Sequence, residues 1–433
     1  MATKSSSFGR YLAGVYAAMY VGYMGYVSTR KSFSNVMPFV VEEKDVSKSD
    51  LGFIVSSQMV AYGISKFSSG IFVDRMSPRI MIAVGLFCCG ILNLVFPLFE
   101  STTVYAILWF INGLTQGFGW PACAKIMKQW VTPAQFGTYW SILSTSMNVA
   151  GVLGPPLSIF IASSYGWEYC LQIQGSAAIV ISVICFLVIR NSPSDVGLEK
   201  ISTDTGGKVK TDKEVTGEDT VWDIVTSPFI WVIFVVDCVA FGVASGCIDW
   251  SQLYLIQEIG LSPELSSTFV SALQLGATIG SIAAGYITDR QIAKHGIQAR
   301  GSARYPALMV FMFLLTLALH LLVFWTDKES PRLWILLIGF VIGGGTFGPV
   351  ALLGVVAIEH SPAHLSGTAH AIAALGPNVG AVLAGLPLTA IANSYNWAGA
   401  FIAMEICSAI AIVIIGLTWN IPSKIGRKDI KTE

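Results

Sequence analysis

Charge is what this chain has little of. Of its 433 residues, 12% are Asp, Glu, Lys or Arg, about half the ~25% found in a soluble domain. The two signs balance at 26 each, for no net charge, so nothing here draws in a polyanion, and no nucleic-acid partner is expected. Cysteine is sparse and scattered. The eight, at 88, 89, 123, 170, 185, 238, 247 and 407, show neither zinc spacing nor a disulfide framework. Catalytic signatures are missing as well. There is no H-E-x-x-H, no paired-carboxylate cluster and no G-x-x-x-x-G-K loop, so the chain reads as a non-enzyme without a cofactor. The first apolar segment is too long for a removable signal peptide and lacks a clear small-residue cleavage site, so it is expected to stay as a membrane span.

What is there is apolar: 54% of the residues are hydrophobic. Runs of about 20 residues recur along the chain, each long enough to cross a hydrocarbon core of ~30 Å. Twelve are read, at 9–29, 51–71, 80–99, 103–127, 138–162, 168–190, 229–254, 264–288, 305–326, 331–358, 365–392 and 398–420. With the N-terminus placed in the cytosol, 19 of the 26 Lys and Arg fall on the cytosolic side. Lys44, Lys48, Lys328 and Arg332 fall on the other side. The positive-inside rule therefore predicts both termini in the cytosol. Arg30, Lys31 and Lys66 remain, in or at the edge of the membrane.

The chain is doubled. "GIFVDR" carries Gly70, Asp74 and Arg75, with Arg79 just beyond, and "GYITDR" carries Gly285, Asp289 and Arg290. The two motifs lie 215 residues apart, half the chain. Between the halves stands a polar Gly/Ser/Thr/Lys/Asp-rich stretch of linker composition. The expected fold class is thus an all-α membrane protein of twelve transmembrane helices in two pseudo-symmetric six-helix bundles. The bundles span 1–190 and 229–433, joined by a cytosolic linker over 191–228. Two related halves around a midplane site is a secondary-transporter design. In each motif the glycine permits close helix approach, and the aspartate can cap a helix or pair with an arginine. That makes a latch able to break and reform, or else a fixed turn.

The doubled motif, twelve spans and central linker together resemble the major facilitator superfamily over the full length. The block "NGLTQGFGWPACAK", with "SDLGFIVSSQMVAYGISKFSSG" and "STRKSFSNVMP", is similar to the organophosphate:phosphate antiporter family. Within that family the likeness is to the endoplasmic-reticulum glucose-6-phosphate translocase branch, through "QFGTYWSILSTSMNVAG", "GSIAAGYITDR" and "NVGAVLAGLP". The resemblance implies exchange of cytosolic glucose 6-phosphate for luminal inorganic phosphate across the endoplasmic-reticulum membrane. It also implies functional coupling to a luminal glucose-6-phosphatase. A carrier of another organophosphate, such as glycerol 3-phosphate, and a sugar-phosphate sensor are the competing readings.

A phosphate dianion in a low-dielectric cavity needs cations and donors in place of its water. Arg30 is the foremost candidate, because guanidinium binds phosphate bidentately and keeps its charge. It also stands where the family has its phosphate-binding arginine, near the end of the first span; the alternative is snorkelling at a helix end. Lys31 is either a second contact or a snorkelling side chain. Lys66 shares a helix face with Tyr62. It either lines the cavity or pairs with Asp237 or Glu405, two intramembrane acids. His370 can donate to a phosphate or hydroxyl, or be packed with one satisfied bond. Tyr26, Trp120, Asn148, Gln274 and Asn378 are candidates for sugar hydroxyls and an aromatic platform, with a kink expected at Trp120–Pro121. Gly343, Gly344 and Gly345 with Pro349 suggest a bendable segment. The family resemblance also implies a cation on span 7, and Ala244 occupies that place here.

Overall fold

The structure, a computed structural model, is described for residues 2–44, 46–199, 220–295, 300–361 and 365–423. At 2–6, 67, 69–75, 133, 134, 137, 294, 295, 366 and 367 the backbone alone is described. The chain falls into two compact units, Met1–Val46 with Phe53–Glu214, and Ser47–Gly52 with Val215–Glu433. Of the expected linker, residues 200–219 lie outside the described residues.

The first unit is built on α1 (Ala2–Glu43), α2 (Lys48–Arg75), α3 (Pro78–Val95), α4 (Thr102–Gln116), α5 (Gly119–Trp130), α6 (Pro133–Tyr165) and α7 (Trp167–Val188). The second contains α8 (Val221–Val225), α9 (Pro228–Gln257), α10 (Pro263–His295), α11 (Tyr305–Phe324), α12 (Arg332–Glu359), α13 (Ser366–Ala373), α14 (Leu375–Leu383) and α15 (Leu386–Leu417). No strand forms among the described residues. An isolated bridge pairs Arg300 with Pro422.

Helices begin where the sequence signals them. Ser77–Pro78, Thr132–Pro133 and Ser227–Pro228 each put a proline on the first helical turn, where its missing N–H costs nothing. Each expected apolar run falls on a helix or on consecutive helices. Among the described residues, eight stretches are long and apolar enough to cross a membrane by themselves. The last of them, Thr368–Leu417, covers 50 residues and turns at Asn396, whose φ is 79°. Large apolar side chains such as Val84, Ile107, Phe160, Leu187, Val310 and Phe313 stay exposed. That is the coat a bilayer solvates.

Three local expectations need correction. The first span does not end near Arg30: α1 continues unbroken to Glu43, with Phe33, Val36, Met37 and Val40 buried beyond it. Span 4 breaks at Gly117–Phe118, between α4 and α5, ahead of the expected kink at Trp120–Pro121. Gly117 sits there because a Cβ would lie 2.6 Å from the Cβ of Ser65. The glycines at 343 to 345 do not interrupt α12, which runs through them and Pro349. A Cβ on Gly343 would lie 2.8 Å from the backbone nitrogen of Ala277, and one on Gly280 would meet Gly344. These glycines bring α10 and α12 backbone to backbone, the small-residue packing that membrane helices use.

Candidate functional site

In the first unit, a neutral polar network holds the α1 backbone around Arg30. Gln58 Nε2 on α2 donates to the Arg30 carbonyl at 3.4 Å and to Asn112 Oδ1 on α4 at 3.0 Å. Gln116 Nε2 donates to Asn112 Oδ1 at 3.2 Å and to Thr29 Oγ1 at 3.4 Å. Asn93 on α3 donates from Nδ2 to the Thr29 carbonyl at 3.2 Å and accepts at Oδ1 from the Ser32 hydroxyl at 2.5 Å. These groups are amides and hydroxyls, with no carboxylate. They fix the helix around Arg30 without neutralising it.

The guanidinium itself is buried, and its Nε and Nη2 have no hydrogen-bond partner among the described residues. Its Cζ stands 4.8 Å from the centre of the Tyr62 ring, and Lys66 Nζ stands 6.0 Å from the same ring. The ring's π-face attracts both cations, by about 0.5–2 kcal/mol each. That is little against the desolvation of an unpaired charge. Helix-end snorkelling does not apply to Arg30, because it lies well inside α1. Tyr62 and Lys66, four residues apart on α2, do share a face, as their spacing indicated. Lys31 is half-buried.

Beside Arg30 runs a line of rings. Tyr23 lies 4.6 Å from Trp120, Trp120 lies 4.3 Å from Trp140, and Trp140 stacks on Phe136 at 5.7 Å. Sequence reasoning picked Trp120 and missed Tyr23 and Trp140. Tyr23 stands seven residues before Arg30, two helical turns on one face, and that spacing was the available signal. Tyr26 needs correction in the other direction. It is 1% exposed and its hydroxyl donates to the Ile82 carbonyl at 2.9 Å. Its role is to pack α1 on α3. Asn148 is half-buried on α6. Contacts between Tyr16 and Tyr139, Tyr20 and Thr145, and Asn35 and Ser158 show α1 and α6 running parallel. In that register Asn148 lies about one and a half to two turns from the level of Arg30, nearer that of Tyr23.

In the second unit the candidates stand apart from one another in their bonding. His370 is exposed, with Nδ1 3.4 Å from the Gly354 carbonyl. Asn378 donates to its own helix at Ala374, 3.1 Å away, and Gln274 is half-buried on α10. Ala244 is 1% exposed on α9, so its place is packed interior and offers no cation. Of the two intramembrane acids, Glu405 faces His320, with Oε1 3.0 Å from Nδ1. Asp237 is 3% exposed and its Oδ1 has no partner among the described residues.

The doubled motif is seen in part. Side chains at Gly70, Asp74 and Arg75 lie outside those described. Arg79 donates its backbone N–H to Asn191 Oδ1 at 2.9 Å and its Nε to the Phe186 carbonyl at 2.6 Å, tying α3 to the end of α7. Asp289 does meet an arginine, but it is Arg304, at 3.0 Å. Arg304 is 4% exposed and clamps Glu359 with two bonds of 2.9 and 2.6 Å. These partners push the Arg304 pKa up, with the Glu359 bonds the largest cause. Arg290 lies over the Tyr286 ring at 4.3 Å. Gly285 makes no close approach: a Cβ there would meet nothing within 4 Å.

An all-helical membrane protein that buries a guanidinium with no ion pair among the described residues, beside aromatic rings, is equipped to meet an anion within the bilayer, and polytopic carriers have that equipment. The chain belongs to the Major Facilitator Superfamily, whose family model matches residues 19–385. The family is one of transporters, and relatives are named for transport, not for catalysis. It is 31% identical to a probable hexose phosphate transport protein of Chlamydia pneumoniae, over 95% of this chain and 91% of that one. It is also 31% identical to the glycerol-3-phosphate transporter of Bacillus subtilis (strain 168), over 96% and 94%. A membrane sensor protein of Escherichia coli (strain K12) is 29% identical over 92% and 90%. Among solved structures, a bacterial homolog of the human lysosomal transporter Spinster superposes with a TM-score of 0.77 at 14% identity, covering 97% of this chain and 99% of that one. At that identity the likeness is one of fold.

Proposed function

We propose that this protein is a secondary carrier of organophosphates that exchanges glucose 6-phosphate for inorganic phosphate by alternating access. The observation that carries the reading is Arg30, a cation whose buried Nε and Nη2 lack hydrogen-bond partners among the described residues, next to the likewise unpartnered Asn112 Nδ2 and Gln116 Oε1. A phosphoryl group accepts two parallel N–H bonds from one guanidinium. Lys66 and the Tyr62 ring stand beside it, and the Tyr23–Trp120–Trp140 rings offer an apolar face to a sugar. The gating roles of Gly70, Asp74, Arg75, Arg79, Gly285, Asp289 and Arg290 belong to the same proposal. Relatives named for hexose phosphate and glycerol 3-phosphate transport support the substrate class. The translocase-like motifs support glucose 6-phosphate and the endoplasmic-reticulum membrane, and the charge asymmetry supports cytosolic termini. A luminal glucose-6-phosphatase would then consume the product.

Counterflow in proteoliposomes loaded with inorganic phosphate tests this directly. Labelled glucose 6-phosphate should enter only when phosphate is inside, and glycerol 3-phosphate should compete poorly. Preferred entry of glycerol 3-phosphate would move the substrate. Binding without flux would favour a sensor, the role for which the Escherichia coli relative is named.

A further inference from the structure

Asp237 has no task in the reading above. It lies on α9, about 14 Å along the axis from Pro228, close to the middle of a ~30 Å hydrocarbon core. It is 3% exposed, and Oδ1 has no hydrogen-bond partner among the described residues. The titratable groups around it are few. On α9 itself they are Cys238, Cys247, Asp249 and Tyr254. On the helices packed against α9 they are Tyr395, Glu405 and Cys407 of α15, His370 of α13, Arg332 and Glu359 at the two ends of α12, and Glu264, Tyr286, Asp289, Arg290, Lys294 and His295 of α10. α14 has none. Glu405 is engaged with His320, and Glu359 with Arg304. No cation is bonded to Oδ1. Burying the carboxylate ion there unpaired would cost far more than burying the neutral acid.

The surroundings of Asp237 are built to part. α9 and α14 touch through glycine: a Cβ at Gly376 would lie 2.5 Å from the Phe234 carbonyl, and one at Gly380 would overlap the Cys238 carbonyl. These two contacts lie on either side of Asp237. One turn further on, the Phe241 ring meets Phe347 of α12. Glycine faces carry no interlocking side chains, so the seam can shear without repacking. The partner strand of helix is itself interrupted, at Ala374 between α13 and α14 and again at Gly385, where ψ is −113°. Trp250 Nε1 donates to the freed Ala384 carbonyl at 2.7 Å. A broken helix against a buried acid at mid-membrane is a place where an ion can be taken up and released.

We propose that Asp237 is a proton-binding site that couples proton movement to transport. The carboxylate takes one proton from water when the α9–α14 seam is wetted, and holds it as the acid while the seam is closed. It returns the proton to water when the seam opens again. The bond made and broken is the O–H of the acid, and the co-reactant is the aqueous proton.

Two measurements on the full chain in lipid test this. Infrared difference spectra, recorded while the pH is stepped through the neutral range, report protonated carboxyls. A band that titrates in the wild type and is missing in Asp237→Asn is expected. In proteoliposomes, an imposed pH gradient should change glucose 6-phosphate uptake severalfold in the wild type and not in Asp237→Asn. Asp237→Ser serves as the second variant if the asparagine protein does not fold. An infrared response identical in wild type and variants overturns the proposal, as does wild-type uptake indifferent to the gradient. The uptake arm rests on the proposed organophosphate reading, whereas the infrared arm does not. A titrating band without uptake therefore sinks the substrate and spares the proton site, and uptake without the band does the reverse.

Discussion

Replacing Arg304 by alanine should unfold the second unit at a markedly lower temperature. Arg304 is buried, and it alone supplies the two bonds that pair Glu359. Removing it leaves that carboxylate 18% exposed without its cation. Breaking a buried pair from one side costs about 3–5 kcal/mol, and the residual exposure of Glu359 argues for the lower end, about 3 kcal/mol. At about 2–4 °C per kcal/mol for a unit of this size, the melting temperature should fall by about 6–12 °C. Asp289 touches the same guanidinium but is 71% exposed, so solvent screens it. Asp289→Asn should cost at most about 1 kcal/mol. Replacing both members of the inner pair, Arg304→Leu with Glu359→Met, should recover most of the loss, since no buried charge is then stranded. Thermal unfolding of the purified variants in detergent, followed by tryptophan fluorescence, reads all three. If Asp289→Asn lowered the melting temperature as far as Arg304→Ala, the outer contact would carry the cluster and the reasoning would fail.

Other consequences follow from the same geometry. His360 is 5% exposed, with Nδ1 3.0 Å from the Val356 carbonyl and Nε2 buried without a partner among the described residues; burial pushes its pKa below the usual 6.5. The unfolded chain therefore binds a proton that the folded one refuses, and stability should fall as pH drops below about 6.5. Melting at about pH 5.5 and about pH 7.5 should show this in the wild type and less of it in His360→Phe. Ala244→Lys should lower the melting temperature rather than tighten phosphate binding, because a long cation would enter packed interior; tighter phosphate binding in a stable variant would return residue 244 to the site. Gly343→Val should force α10 and α12 apart and reduce folded yield, whereas Gly285→Ala, with open space around it, should be close to neutral.

Much of the fold was legible because a bilayer imposes one rule: apolar stretches of the right length become helices. The positions of the spans followed from the lengths of the apolar runs. What was not legible depends on close approach between helices distant in sequence. The glycines at 343 to 345 read as a hinge, yet Gly343 and Gly344 are the seats of backbone contacts with Leu273, Ala277 and Gly280 of α10, and Gly345 faces Leu315 of α11. Arg304 read as one of many positive charges between spans, because its partner Glu359 lies 55 residues away at the far end of another helix. Tyr26 and Tyr23 are indistinguishable by composition. Only the fold shows that one hydroxyl bonds to Ile82 while the other ring faces Trp120. Arg30 stands out by its cost: a charge in an uncharged run demands a reason, and its place inside the unbroken α1 removes a helix end as that reason.

The measurement that bears most directly on this account is exchange of inorganic phosphate by Arg30 variants in proteoliposomes, at matched insertion and with folding checked by melting. Loss of a charge-assisted contact costs roughly 1.5–3 kcal/mol, or about 10- to 150-fold in affinity. Arg30→Ala should lose at least that much affinity for phosphate and for glucose 6-phosphate alike. Arg30→Lys should recover little, since one ammonium cannot reproduce the paired bonds. Wild-type phosphate affinity in a folded Arg30→Ala protein would contradict the account.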